Sequence, residues 1–210
     1  MHSYIYLASQ SPRRQELLHQ IGVKFELLLA DASEDAESLE THIAHESALT
    51  YVERVTLAKL DAAEQRLLQR QLPWAPILCA DTTVAIVLND KEIILGKPED
   101  EIDAKRILQQ LSGKTHQVHT AIALLANQGS KPKVLVSSSS VTFKSLSDVE
   151  IDAYIASKEP MGKAGAYGIQ GIAGSLISHI AGSFSSIMGL PLYETAQLLQ
   201  ETGIKFSIQN

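Results

Sequence analysis

Short apolar segments alternate with helical patterns along the first half of the chain. The apolar segments are YIYLA, FELLLA, PILCAD and TVAIVLND, and the helical patterns cover residues 12–20 and about 44–71. This alternation is typical of an α/β protein, in which helices flank a sheet. We therefore predict an α/β fold, organised as a single domain over residues 1–210.

Turn and capping signals mark the elements of the second half. Asn89-Asp90, between TVAIVL and KEIIL, predicts a hairpin turn. Asp100 is a suitable helix N-cap, and Ser147 with Glu150 forms an S-x-x-E capping box. Together with the hydrophobic patterns, these signals predict helices over 100–111, 148–157 and 190–202, and strands over QVHTAIALLA, KVLVSSSSVTF and residues 175–181.

Composition and charge exclude several classes of protein. Hydrophobic residues make up 45% of the chain and no tract of 18 apolar residues occurs, which favours a soluble globular protein over a membrane-spanning one. The N-terminus lacks the features of a secretory signal and Cys79 is the single cysteine, so we expect a cytoplasmic protein. The net charge of −6 argues against general attachment to nucleic acid or anionic membrane. A polyanionic ligand would therefore need a local basic pocket.

The stretch ASQSPRRQELL supplies such a pocket at a predicted helix start. Ser11 is the expected N-cap and Pro12 the first helical residue, which places Arg13 and Arg14 in the first turn. Each cation there is unfavourable by roughly 0.3–1 kcal/mol, because this end of the helix dipole is positive. Either both arginines are solvated surface residues, or a bound phosphate reverses the sign of the interaction, with the Ser9 hydroxyl beside it.

Asp81 follows the apolar run ILCA and is the leading candidate for chemistry. A carboxylate at the carboxyl end of a buried strand suits a metal ligand or a base that activates water, and a turn-capping Asp is the alternative. Glu34 lies in the acidic stretch DASED, where a solvated charge is the ordinary role.

Three further polar residues that lie close to glycines in the sequence are candidate ligand-binding residues. Lys97 follows the segment IILG and Lys163 lies in a glycine-rich turn, where close backbone approach suits phosphate binding. Gln170, in YGIQG, has an amide that can both donate and accept hydrogen bonds to a base edge. The segment GKT lacks the earlier glycine of a P-loop, and no CxxC, HExxH or GxSxG pattern occurs.

Six segments in order resemble the Maf family of nucleoside triphosphate pyrophosphatases, from about residue 4 to residue 200. They are ASQSPRRQELL, the helix that carries Lys59, CADTTV, LGKPED, LSGKTHQVHTAIAL and EPMGKAGAYGIQG. The resemblance implies a Maf and ITPase-like fold, with an elongated mixed sheet, flanking helices and two lobes around a deep cleft. It also implies a homodimer and a divalent metal, Mg²⁺ or Mn²⁺.

The resemblance carries roles over to individual positions. The catalytic carboxylate falls on Asp81, which would also bind the metal with Glu34. Substrate-binding positions fall on Ser9, Arg13, Arg14, Lys59, Thr82, Lys97, Lys163 and Gln170. Thr82 and the YGIQG stretch look like the branch that acts on dTTP and UTP. The alternatives are the 7-methyl-GTP branch and a nucleotide-binding regulator of cell division, linked to septum formation, that does not turn nucleotide over.

Overall fold

A computed structural model describes residues 2–31, 34–35 and 38–207 as a mixed sheet with helices on both faces. Within these ranges the strands are β1 (Ile5–Leu7), β2 (Phe25–Leu27), β3 (Ile77–Leu88), β4 (Lys91–Leu95), β5 (Thr115–Leu125), β6 (Lys133–Phe143) and β7 (Ile177–Ala181). The helices are α1 (Pro12–Gln20), α2 (Ala48–Gln69), α3 (Glu101–Leu111), α4 (Asp148–Ala156), α5 (Phe184–Met188) and α6 (Leu192–Gln200). The predicted α/β class and the mixed sheet are confirmed. None of the described helices is long and apolar enough to cross a membrane.

Locally encoded elements form where the sequence predicts them. The Asp100 side chain caps α3 by accepting a hydrogen bond from the Asp103 backbone N–H, at 2.8 Å, and the predicted capping box opens α4. Asn89 and Asp90 have φ angles of 51° and 60°, as a two-residue hairpin turn between β3 and β4 requires. Ser11 has the extended backbone of an N-cap, but its side chain makes no capping hydrogen bond. The short helix α5 was not predicted.

Strand β3 changes partners along one of its edges. The strand order is β2-β1-β3-β5-β6-β7, with β4 also paired to β3. On one side, β3 pairs with β5 from Ile77 to Ala85. On the other side, parallel pairing with β1 ends at Leu78 and antiparallel pairing with β4 begins at Val84. Among the described strands, none pairs with this edge of β3 between those two residues.

Asp81 lies in this gap, which corrects the prediction that it ends a strand. The segments PILCAD and TVAIVLND belong to one strand of 12 residues, and Asp81 pairs with Ala121 of β5 near its middle. The apolar run alone could not show where the strand ends, because pairing with distant segments decides it. Asp81 therefore lies beside the opening of the sheet, and not at the end of β3.

Alternation along β3 decides which helix each side chain faces. Leu78 packs in a cluster with side chains of α1 and α6, whereas Cys79 packs against α2. Side chains two residues apart in a strand share a face, so Asp81 points to the side of Cys79 and α2. Farther along, Val84 joins a third cluster with α3 and α4.

A buried cluster of rings joins β5, β6 and the glycine-rich segment. The rings of His116, Phe143 and Tyr167 pack edge to face with centroids 5.0–5.4 Å apart, and Nε2 of His116 shares a 2.8 Å hydrogen bond with the Tyr167 hydroxyl. Burial lowers the pKa of His116 from 6.5 to about 4, because a charged imidazolium would lose its hydration there.

This depressed pKa predicts a loss of stability in mild acid. His116 takes up a proton on unfolding when the pH lies below 6.5, so its contribution disappears as the pH falls from 6.5 to about 4. Between these pH values we expect the free energy of unfolding to fall by about 3 kcal/mol more in the wild type than in His116→Gln. Urea unfolding at several pH values measures the difference. Parallel pH profiles of the two proteins would contradict it.

Candidate active site

A cleft of about 670 Å³ opens at the gap beside β3. This volume is in the range of small-molecule and cofactor sites. The cleft brings together eight of the ten residues singled out from the sequence: Ser9, Arg13, Arg14, Lys59, Asp81, Thr82, Lys97 and Lys163. Four chain segments therefore meet Asp81 here, namely the start of α1, the middle of α2, the loop after β4 and the glycine-rich segment before residue 170.

The two arginines of α1 contact the carboxyl end of α5. Nε of Arg13 donates to the carbonyl oxygen of Met188 at 3.2 Å, and Nε of Arg14 donates to that of Gly189 at 2.8 Å. Nη1 of Arg14 also donates to the Ser9 hydroxyl at 3.0 Å. Cations are favourable at the negative end of a helix dipole. The unfavourable interaction of the two arginines with the dipole of α1 is thus offset by their favourable interaction with the carboxyl end of α5. The sequence did not predict this second interaction.

Cations crowd this side of the cleft. Burial lowers the pKa of Arg13, and it lowers that of Arg14 against an opposing effect of Asp81. Burial, followed by the nearby charge of Arg13, also lowers the pKa of Lys163, whose Nζ donates to the Glu159 carbonyl oxygen. All three shifts indicate positive charges that have lost water. An anion that enters here would compensate for that loss.

One lysine joins two carboxylates on the opposite wall. Nζ of Lys59 lies 2.6 Å from Oδ1 of Asp81 and 2.7 Å from Oε1 of Glu40. Glu40 also forms an ion pair with Lys97, whose Nζ lies 2.8 Å from Oε2 of Glu40. The side chains of Asp81 and Lys59 are 12% and 21% exposed, so these charges are only partly screened by water. Positive and negative side chains therefore alternate along this wall of the cleft, in the order Lys97, Glu40, Lys59, Asp81.

Glu34 is not at the cleft. Nη2 of Arg66 lies 2.6 Å from Oε2 of Glu34, and Nη1 of Arg66 donates to the Leu28 carbonyl oxygen at 2.8 Å. These hydrogen bonds from Arg66 lower the pKa of Glu34. Arg66 lines the cleft, whereas Glu34 lies behind it. The structure therefore does not join Glu34 to Asp81 as a pair of metal-binding carboxylates, and its predicted metal role stays a prediction.

The two residues expected to choose the base lie apart. Thr82 lines the cleft and shares a 3.0 Å hydrogen bond with the Thr120 hydroxyl, which donates to the Ser186 carbonyl oxygen. Gln170 is exposed and is absent from the lining. Gln170 and Lys163 both lie close to Gly168, because a Cβ built on that glycine would lie 3.5 Å from Nε2 of Gln170 and 3.2 Å from the Lys163 side chain.

Sequence reasoning missed Glu40 and Arg66. Arg66 carried a usable signal, since it follows Lys59 by seven residues and two helical turns place both on one face of α2. No sequence signal distinguished Glu40, because it is one of several acidic residues in a segment without helical or strand periodicity. Among the described residues there is no cluster of three or more His, Cys, Asp or Glu side chains that could hold a metal.

Comparison with known proteins agrees with this architecture along nearly the whole chain. The model of the family described as Maf-like protein matches residues 4–202. A protein of Albidiferax ferrireducens named dTTP/UTP pyrophosphatase is 55% identical, with 98% of this chain and 100% of the relative covered. A Ralstonia nicotianae protein of the same name is 54% identical, with 97% and 96% covered.

A solved structure of the Staphylococcus aureus Ham1 protein is 15% identical, with 67% of this chain and 71% of that chain covered and a TM-score of 0.39. The family model and the two relatives, each matched over nearly the whole chain, show that this chain belongs to the Maf-like protein family.

Proposed function

We propose that the protein hydrolyses dTTP and UTP to the nucleoside monophosphate and pyrophosphate. The observation that carries this proposal is the position of Asp81 in a cleft lined by six cations and two carboxylates, Asp81 and Glu40. Such a surplus of positive charge complements a triphosphate. The relatives named dTTP/UTP pyrophosphatase support the choice of these two nucleotides.

In the proposed reaction Asp81 accepts a proton from the attacking water. The water oxygen forms a bond to the α-phosphorus, and the bond from that phosphorus to the bridging oxygen breaks, which releases pyrophosphate. Lys59 orients the carboxylate through its 2.6 Å contact with Oδ1. Arg13, Arg14 and Lys163 bind the phosphate oxygens on the other wall and stabilise the charge of the transition state.

A divalent cation, Mg²⁺ or Mn²⁺, fits the donors present. Mg²⁺ takes oxygen ligands and usually only one or two protein carboxylates, together with waters and substrate phosphates. Asp81 and Glu40 meet this need, because oxygens of both contact the same Lys59 ammonium and therefore lie close together. These two residues would hold the cation, which when bound neutralises charge on the phosphates. Glu34 is engaged by Arg66 and supports this role less well.

Two further properties remain predictions from the sequence. A homodimer and a cytoplasmic location are expected from the resemblance and from the composition. Size-exclusion chromatography with light scattering tests the first, and cell fractionation tests the second.

The substrate proposal is tested by pyrophosphate release from a panel of nucleotides. Purified protein with Mg²⁺ or Mn²⁺ is incubated with dTTP, UTP, CTP, GTP, ATP and 7-methyl-GTP. We expect release from dTTP and UTP. A preference for 7-methyl-GTP would retain the chemistry and overturn the roles of Thr82 and Gln170 in base choice. Binding without release from any nucleotide would support the regulator instead.

The role of Asp81 predicts that Asp81→Asn lowers kcat by roughly 10²–10⁴-fold, because the amide cannot accept the proton from water. The matched control is Asp152→Asn, which removes a surface carboxylate that pairs with Lys105 and does not line the cleft. We expect its kcat to equal that of the wild type. Wild-type turnover in Asp81→Asn would remove this residue from the mechanism.

The metal assignment predicts different effects for the two glutamates. Glu40→Gln should raise the Mg²⁺ concentration for half-maximal activity by roughly tenfold or more, because one of two carboxylates is lost. Glu34→Gln should raise it less, since Glu34 faces Arg66. Titration of pyrophosphate release with MgCl₂ measures both. The reverse order of effects would return the metal role to Glu34.

A further inference from the structure

Glu40 is bound to the cleft by both of its carboxylate oxygens. Oε1 contacts Nζ of Lys59 at 2.7 Å and Nζ of Lys97 at 3.1 Å, and Oε2 contacts Lys97 at 2.8 Å. Lys59 comes from α2 and Lys97 from the loop after β4. One carboxylate thus links two lysines that approach the cleft from separate elements.

The backbone around Glu40 is fastened to α2. The Tyr51 hydroxyl donates to the Glu40 carbonyl oxygen at 2.9 Å, and Nη2 of Arg54 donates to the Thr41 carbonyl oxygen at 2.9 Å. Arg54 also forms a two-point ion pair with Glu46, at 2.7 and 2.8 Å. Since α2 also carries Lys59, the carboxylate and its lysine are held by the same helix.

The charge of Glu40 is sustained in this position. Burial alone would raise the pKa of Glu40, but Lys59 and Lys97 outweigh burial and lower it. Both oxygens of the Glu40 carboxylate contact lysine ammonium groups, so Lys59 and Lys97 already have a carboxylate partner in the free protein.

We propose that Glu40 is an internal counter-ion that occupies Lys59 and Lys97 in the free protein and is displaced from them when a triphosphate binds. The inference rests on the proposed function, because it requires that the triphosphate enters this cleft. A metal-free polyanion must compete with Glu40 for the two lysines and is repelled by the displaced carboxylate. A metal-loaded nucleotide brings a cation to which that carboxylate can turn. Glu40 thereby favours the metal-loaded nucleotide over free nucleotide and free pyrophosphate.

The test measures binding of dTTP and of pyrophosphate by calorimetry in EDTA. Removal of the competing charge in Glu40→Gln should tighten metal-free binding of both anions by about five- to tenfold. The control is Asp152→Asn, which removes a surface carboxylate that pairs with Lys105 and does not line the cleft. We expect its affinities to match those of the wild type. Glu40→Ala, which is also expected to tighten binding, guards against misfolding of the first variant.

The outcomes separate this inference from the function on which it rests. A residue that only ligates metal would leave metal-free binding unchanged, and one that only maintains the fold would weaken it, so either result for folded Glu40→Gln and Glu40→Ala overturns the counter-ion role. In that event, wild-type pyrophosphate release from dTTP would still uphold the proposed function. Failure of the wild type to bind nucleotide with or without metal would overturn both.

Discussion

The partner change along β3 is the constraint on which the site depends. On one edge the strand is paired with β5 from Ile77 to Ala85, which includes the point where the opposite edge opens. A strand paired along the whole opposite edge would occupy space beside Asp81 that now belongs to the cleft, and burial of an uncompensated carboxylate is costly. Because β1 stops early and β4 starts late, the carboxylate reaches a cleft while its backbone remains fixed.

The gap also explains which cations reach Asp81. The chain leaves β1 at Leu7 and enters α1 at Pro12, and the first turn of that helix lines the cleft. Asp81 itself points to the face covered by α2, which brings Lys59 to it. The hairpin of β3 and β4 ends at Leu95, and Lys97 follows two residues later at the same opening. Lys59 is 22 residues from Asp81 in sequence and Lys97 is 16 residues from it, and both converge on the cleft through one irregularity in the sheet.

Sequence signals recovered the elements whose cause is local. The Asp100 cap, the capping box of α4 and the Asn89-Asp90 turn each involve residues within a few positions of one another, and the structure confirms them. The prediction that Asp81 ends a strand was wrong, because pairing with the distant strands β1 and β4 determines its position in the sheet. The family resemblance selected six of the eight charged residues that line the cleft, but it could not show that Glu34 contacts Arg66 while Glu40 contacts Lys59.

Each of the six cations that line the cleft already has a protein acceptor, and this determines how an anion can bind. Arg13 and Arg14 donate to carbonyl oxygens at the end of α5, and Lys59 is shared by two carboxylates. Binding of phosphate is therefore an exchange of partners, with a smaller net gain than contact with unpaired charges would give. The carbonyl oxygens are neutral and leave other N–H groups of each guanidinium for the ligand, whereas the Glu40 carboxylate must move away. The α1 wall is consequently ready to receive phosphate, while the α2 wall opposes it until the charge of Glu40 is compensated.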